Sequence, residues 1–246
     1  MSQLRLVVIS LRYSSWSIRP WLALTHAGAK FVTETATPEL SRQSLATGDD
    51  AALAKLADRE VQARRKVGSV TGLFPVLHVD GAAIHETLAI CEWANDTFPE
   101  AHLWPESAVA RAQARSVSCE MAASFSNMRM HMSCHVFGRA PAFTPNPATQ
   151  RDIDRVFEIW RGALYRSGGP FLFGQFSIAD AVFFPVRTRF RTYGVAIPGD
   201  LAGYVAALDA LPAVHALYEL ARTSPAIPTY DEYLLSLGGD PVAALA

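Results

Sequence analysis

Two adjacent serines, Ser14 and Ser15, lie in a polar turn just ahead of a predicted helix. Because proline is tolerated mainly in the first turn of a helix, Pro20 predicts that this helix starts near Trp16 or Ser17. A hydroxyl in that turn can donate a hydrogen bond to an anion, and the helix N-terminus adds positive potential. The serines are therefore either plain turn residues ahead of the helix or groups that stabilise a reactive anion.

A proline inside an apparent strand marks a second candidate site. Residues 73–79, LFPVLHV, read as a strand, followed by an Asp80-Gly81 turn signal and a return strand, AAIH. Pro75 needs a special reason to stand in a strand. Either Phe74-Pro75 is a cis-proline motif at a ligand-binding edge, or the segment is an edge strand or loop.

Glu86-Thr87 opens the helix that follows the return strand. Helix N-terminal amides and a threonine hydroxyl suit a carboxylate, and Glu86 can take an ammonium group. The plainer interpretation is a helix start with Thr87 as its cap. Both roles are compatible.

The order of elements predicts the fold class. Strands at 4–10 and 31–36, a helix at 49–66, the hairpin and the helix after it follow the βαβ–αββα order of a thioredoxin-like domain. After residue 107 only helical patterns are convincing. We expect a thioredoxin-like domain at 1–99 with an inserted helix at 41–70, a linker at 100–106, and an all-helical domain at 107–246.

Within the helical domain, we predict one long helix over 108–137 and another over 149–167. On the long helix, we expect four residues either to line a substrate pocket, since soft Met-rich walls suit varied hydrophobic molecules, or to pack against neighbouring residues: Met128, His131, Met132 and His135. His131, Cys134 and His135 share one helical face, but one helix rarely completes a tetrahedral metal site, so no metal is expected.

Two polar patterns accompany the next predicted helix. Ser177 and Asp180 have the spacing of a capping box and are interpreted as structural. Arg187, Arg189 and Arg191 alternate along the same segment, either as a solvated face or as holders of a carboxylate. The sequence does not separate these two alternatives.

Composition excludes several classes of protein. The chain has 246 residues, 50% hydrophobic and 18% charged, with a net charge of −1. Near-neutral charge gives no electrostatic footprint for nucleic acid or an anionic membrane, and no apolar run reaches the length of a membrane span. Three cysteines without a CxxC pair favour a reducing cytoplasm, and the N-terminal apolar stretch is interpreted as a first strand.

Four segments together resemble the cytosolic glutathione S-transferases over nearly the whole chain. They are YSSWSIRPWLAL at 13–24, GLFPVLHVDG at 72–81, ETLAICEW at 86–93 and FGQFSIADAVFFP at 173–185. The serines are similar to those of the serine-type classes, such as zeta and theta, and of many bacterial members. The zeta run of serine, serine and cysteine is not matched, because Trp16 follows Ser15.

The resemblance implies glutathione as co-substrate and a homodimer as the assembly. It implies that Ser14 stabilises the glutathione thiolate, with Ser15 as a close rival and Tyr13 as a weaker one. Phe74-Pro75, with a cis bond, would pair with the cysteinyl part of glutathione, and Glu86-Thr87 would hold the γ-glutamyl end. The thiolate would then attack a small hydrophobic electrophile that the sequence does not name.

The chemistry implied is conjugation, isomerisation, dehalogenation or peroxide reduction, and the alternative is a non-catalytic ligand-binding or adaptor protein of the same fold. The stretch at 41–70 is longer than is usual in the family. Its basic end, Arg64, Arg65 and Lys66, is predicted either to approach the glycyl carboxylate of glutathione or to be a solvated surface.

Overall fold

The computed structural model of the chain describes residues 4–36 and 61–245. Its sheet has four strands in the order β2-β1-β3-β4, with β1 parallel to β2 and antiparallel to β3, and β3 antiparallel to β4. The strands are β1 (Leu4–Val8), β2 (Phe31–Thr35), β3 (Val76–Val79) and β4 (Ala82–His85). Helices α1 (Ser15–His26) and α2 (Thr87–Thr97) pack against each other beside it. The predicted thioredoxin-like arrangement is confirmed.

Helices dominate the described chain after residue 107, as predicted. They are α3 (Ala108–Ala123), α4 (Ser126–His131), α5 (Pro147–Ser167), α6 (Ile178–Thr192), α7 (Ala202–Asp209), α8 (Pro212–Arg222) and α9 (Pro228–Ser236). Helix α6 is almost entirely buried and contacts both α1 and α3, so it joins the helical part to the sheet-bearing part. The domain limits at residues 99 and 107 stay a prediction.

The N-terminus of α6 is fixed by the capping box predicted from sequence. One oxygen of Asp180, Oδ2, accepts from the Ser177 amide and hydroxyl, both at 2.8 Å, and Oδ1 accepts from the Leu172 amide at 3.0 Å. Burial raises the pKa of Asp180 to about 6, although these hydrogen bonds act in the opposite direction. The box therefore has a structural role in seating the central helix.

The expectation for Pro20 was wrong. Helix α1 begins at Ser15, and Pro20 lies inside it rather than in its first turn. Proline has no amide hydrogen, so the Trp16 carbonyl one turn earlier has no helical donor. The hydroxyl of Thr87, on α2, donates to that carbonyl at 3.0 Å. A neighbouring helix thus supplies the hydrogen bond that the proline removes.

The single helix expected over 108–137 was also wrong. Helix α3 ends at Ala123, and Phe125 adopts φ +62° with its side chain buried. Arg129 then donates from Nε to the Ser124 carbonyl at 3.0 Å and from Nη2 to the Met121 carbonyl, which caps the end of α3. Residues 132–146 are not helical. The break comes from a tertiary contact that the sequence pattern did not reveal.

Only the end of the inserted segment is described. Residues 61–66 are helical, whereas the rest of the helix predicted at 49–66 lies outside the described residues. Arg64 Nη1 donates to the Gly72 carbonyl at 2.7 Å, and Arg65 and Lys66 are exposed. This contact ties the helix to the loop before Pro75.

Candidate functional site

The two serines lie at the N-terminus of α1 and use their oxygens as acceptors. Ser14 is the N-cap, and its Oγ accepts from the Ser17 amide at 3.3 Å. Ser15 is buried, and its Oγ lies 3.4 Å from Nη2 of Arg189. Neither hydroxyl has an acceptor among the described residues, so each keeps a proton to donate to a ligand.

A cavity of about 220 Å³ opens beside these serines, between the start of α1 and the helical part of the chain. Its lining combines hydroxyls, aromatic rings, a thiol and two guanidinium groups, from Tyr13, Ser14, Ser15, Trp16, Arg129, Ser133, Cys134, Arg189 and Tyr230. Burial raises the pKa of the Cys134 thiol, so that group is held neutral rather than as a nucleophile. The serine hydroxyls are thus among the donors in this lining that can stabilise a thiolate.

Tyr13 is committed to a different contact. Its hydroxyl donates to Oδ1 of Asp231, on α9, at 2.8 Å, and burial raises the pKa of the phenol further from neutrality. The same oxygen accepts from Nε2 of His135 at 2.8 Å. Because the Gly138 amide donates to Nδ1 at 2.8 Å, the neutral ring carries its proton on Nε2. Burial lowers the pKa of His135. This network attaches α9 to the turn before α1.

The four residues expected to form the electrophile pocket do not line this cavity. Met128, Met132 and His135 are fully buried in the core. His131 is half-buried, and its Nδ1 lies 2.9 Å from the Asn127 carbonyl. Since α4 ends at His131, the helical face that would have grouped them does not exist.

The peptide bond between Phe74 and Pro75 is cis, as predicted, and Pro75 is buried just before β3. The main-chain N–H and C=O of Phe74 form no hydrogen bond within the described residues. The Ser69 hydroxyl donates to the carbonyl of Leu73, the residue before Phe74, at 2.5 Å. The loop therefore presents one unpaired main-chain donor and acceptor, the pair that an added strand requires.

Glu86 and Thr87 are both engaged in starting α2. Glu86 has φ +77° and caps the helix, with Oε2 accepting from the Leu88 amide at 2.8 Å. Thr87 is buried, and its hydroxyl donates to the Trp16 carbonyl. The Thr87 hydroxyl is therefore not free for a ligand, whereas Oε1 of the exposed Glu86 and the N-terminal amides of α2 remain available to one.

The structure separates the three arginines of α6. Arg187 pairs with Asp209, and Arg191 donates to the Tyr218 hydroxyl at 3.2 Å. Arg189 alone of the three lines the cavity. None of them forms a solvated face. Arg129, the second cavity arginine, was missed because no sequence signal marks it.

The described residues contain no group of three His, Cys, Asp or Glu side chains that could hold a metal ion. In the same part of the chain, no single helix is long and apolar enough to cross a membrane, although the bent pair Gly199–Asp209 and Pro212–Arg222 passes that test when taken together.

Comparison with protein families gives two matches in chain order. Residues 13–97 match the N-terminal domain of glutathione S-transferase, and residues 142–220 match its C-terminal domain. Together the two matches cover more than half of the chain. No curated relative was found by sequence comparison.

Solved structures with a similar fold cover nearly the whole chain. A glutathione transferase homologue from Burkholderia with bound glutathione is 19% identical, covering 90% of this chain and 98% of that one, with a TM-score of 0.63. Omega 3C from Trametes versicolor is 21% identical, covering 88% and 89%, with a TM-score of 0.61. A Tau class enzyme from mango, Mangifera indica, is 18% identical, covering 96% and 98%, with a TM-score of 0.61. At these identities, the likeness concerns the fold.

Proposed function

Because the chain belongs to the glutathione S-transferase family, we propose that it binds glutathione and transfers it to, or uses it to isomerise, a small electrophile with an apolar body. The observation that carries the proposal is the pair of serine hydroxyls at the start of α1, which open onto a cavity and have no acceptor among the described residues. A relative of similar fold is crystallised with bound glutathione.

The first step is formation of the thiolate. The glutathione thiol has an ordinary pKa of roughly 8.5, so only a few per cent ionises at neutral pH. A hydrogen bond from Ser14 and the positive end of α1 both favour the charged sulfur. Ser15 is the rival for this role, since Arg189 polarises its hydroxyl.

The rest of glutathione lies along the edge of the thioredoxin-like part in this proposal. The unpaired main chain of Phe74 receives the cysteinyl segment like an added strand, while Pro75 fixes the turn. The γ-glutamyl carboxylate lies on the N-terminal amides of α2, at Glu86 and Thr87. Because the Thr87 hydroxyl is used elsewhere, the amides carry this contact.

The proposal includes a homodimer in the cytoplasm, with domains 1–99 and 107–246 and no metal. Dehalogenation and peroxide reduction use the same thiolate and remain within it. Because the thiolate sulfur attacks the electrophile, we place the electrophile pocket at the cavity beside Ser14 rather than at the buried cluster of Met128, Met132 and His135.

The test is calorimetric titration of the purified protein with glutathione and with S-methylglutathione, followed by a conjugation screen that includes chlorodinitrobenzene. We expect binding of both peptides and glutathione-dependent turnover that Ser14→Ala suppresses. Binding without turnover of any electrophile would favour the non-catalytic alternative. Absence of binding would refute the proposal.

A further inference from the structure

Three arginines lie around the cavity with no described carboxylate within ion-pair distance, although Asp152 acts on Arg129 from further away. Arg129 and Arg189 line it, and Arg19 lies behind the Trp16 wall. None of the three forms an ion pair with any Asp or Glu of the described chain. Burying an unpaired charge is costly, so native proteins pair such groups or use them to bind an ion.

Arg19 is the most isolated of the three. It is fully buried on α1, and its Nε donates to the Val182 carbonyl at 3.0 Å, but Nη1 and Nη2 have no hydrogen-bond partner. Its guanidinium centre lies 4.5 Å from the Trp16 ring centroid. Burial lowers its pKa to about 9, and the nearby charges of Arg129 and Arg189 act in the same direction.

The two lining arginines are held rigidly by main-chain carbonyls. Arg189 donates from Nε to Met132 at 2.7 Å and from Nη1 to Pro185 at 3.2 Å. Arg129 donates from Nε and Nη2 to main-chain carbonyls at the end of α3, and its Nη1 makes no hydrogen bond within the described residues. A guanidinium has five N–H groups, so both side chains retain donors. Their orientation is fixed before any ligand arrives, which favours tight binding.

We propose that this cavity binds a carboxylate on the electrophile itself, with Arg129 and Arg189 as its ligands and Arg19 adding positive potential behind them. The apolar body of the substrate lies against the rings of Trp16 and Tyr230, and about 220 Å³ accommodates a single-ring molecule. This inference rests on the proposed function and deepens it: the substrate class is aromatic or unsaturated acids rather than neutral hydrophobic molecules.

Glutathione has two carboxylates of its own, but the proposed binding mode places them elsewhere. The γ-glutamyl carboxylate lies on the start of α2, and we place the glycyl carboxylate towards the Arg64 end of the inserted helix, the first of the two alternatives that the sequence leaves open. The cavity instead adjoins the hydroxyls of Ser14 and Ser15, where the reacting sulfur lies. A carboxylate held there, beside the sulfur, therefore belongs to the second substrate.

The probe is para-(chloromethyl)benzoate, compared with its neutral isostere para-(chloromethyl)benzamide. Glutathione loses its thiol proton to solvent, the sulfur–carbon bond forms at the benzylic carbon, and chloride leaves with the electron pair of the broken bond. Each kcat/KM is divided by the uncatalysed rate constant for the same compound, which removes the intrinsic difference in reactivity. We expect the wild-type protein to prefer the acid by about 10-fold or more, as charge-assisted hydrogen bonds would give.

The variants are Arg129→Gln, Arg129→Lys and Arg189→Lys, and Arg161→Gln is the matched control. Arg161 is a surface residue paired with Asp200, so its loss changes net charge without touching the cavity. We expect Arg129→Gln to abolish the preference for the acid, Arg129→Lys to retain part of it, and Arg161→Gln to leave it unchanged. Equal kcat/KM ratios in wild type and Arg129→Gln would overturn the proposal.

Binding of benzoate and benzamide, measured by calorimetry with and without saturating S-methylglutathione, gives a readout that does not depend on turnover. Benzoate binding more tightly than benzamide in wild type but not in Arg129→Gln supports the anion site, even where the proposed transfer reaction fails. If benzoate has no advantage, the anion site is refuted, whether or not glutathione binds. If Arg129→Gln weakens glutathione binding and leaves the benzoate-to-benzamide ratio unchanged, the arginine serves glutathione and the proposal is wrong.

Discussion

Replacement of Ser14 by alanine tests both roles that the hydroxyl has in the structure. Its oxygen caps α1, and its proton is free for the glutathione thiolate. A hydrogen bond to a charged group contributes about 1.5–3 kcal/mol. Its loss predicts a fall in kcat/KM of about 10- to 100-fold and a rise of about one to two units in the pKa of the bound thiol, at 1.36 kcal/mol per unit.

The capping role predicts a smaller and separable effect on folding. Ser-to-Ala changes at helix N-caps cost about 0.5–2 kcal/mol, and the 3.3 Å separation between Ser17 N and Ser14 Oγ places this one near the low end. Ser107→Ala is the matched control, because Ser107 caps α3 through a 3.5 Å contact to the Ala110 amide and does not line the cavity. It should lose a similar amount of stability and no activity.

The assay is the pH dependence of kcat/KM, together with the ultraviolet absorbance of the bound thiolate and the urea midpoint of each variant. Ser14→Ala should shift the pH profile upwards while the dissociation constant for glutathione changes little. Ser15→Ala is measured in parallel. If Ser15→Ala shifts the profile and Ser14→Ala behaves like Ser107→Ala, the assignment of the activating hydroxyl is wrong by one residue.

Three further changes test contacts around the site. Thr87→Val should lower the free energy of unfolding by about 1–2 kcal/mol in urea titrations, since it leaves the Trp16 carbonyl without its donor. Calorimetry should find a glutathione affinity within about 2-fold of wild type. A large loss of affinity would instead assign the Thr87 hydroxyl to the ligand. Asp231→Ala should lower the free energy of unfolding by about 2–4 kcal/mol, because Tyr13 and His135 both lose their hydrogen-bond acceptor. A change under about 0.5 kcal/mol would contradict the hydrogen-bond network around Asp231. Asp180 has a pKa of about 6 in the folded protein against 3.8 in the unfolded chain. The stabilisation that its protonated carboxyl group gives is therefore present below pH 4 and is lost as pH rises through 6. Wild type should therefore lose up to about 3 kcal/mol relative to Asp180→Asn between these pH values, and the opposite trend would show a stabilised carboxylate.

The parts of the fold that the sequence predicted are those fixed by local rules. Ser177 and Asp180 stand three residues apart, and that spacing alone predicts the hydrogen bonds of the capping box. The strands follow from runs of apolar residues, and the hairpin of β3 and β4 follows from the Asp80-Gly81 turn between them. The cis bond at Phe74-Pro75 came from the resemblance rather than from the pattern, and the structure contains it.

The cavity walls could not be predicted in this way, because they depend on how distant segments meet. The proposed role of Met128 and His135 assumed an unbroken helix, whereas Phe125 turns the chain and Arg129 caps the broken end. The arginines of α6 alternate in sequence, but only packing decides that Arg189 reaches the cavity while its neighbours pair elsewhere. The roles of Ser14, Ser15, Glu86 and Thr87 stay predictions.

The contact between Thr87 and the carbonyl left open by Pro20 makes the two positions mutually dependent in evolution. With proline present, loss of the Thr87 hydroxyl leaves the Trp16 carbonyl without a hydrogen-bond donor. Once another residue replaces the proline, its own amide satisfies the carbonyl, and the hydroxyl becomes dispensable. A lineage can therefore discard the threonine cheaply only after it has discarded the proline, so the order in which these substitutions accumulate is constrained.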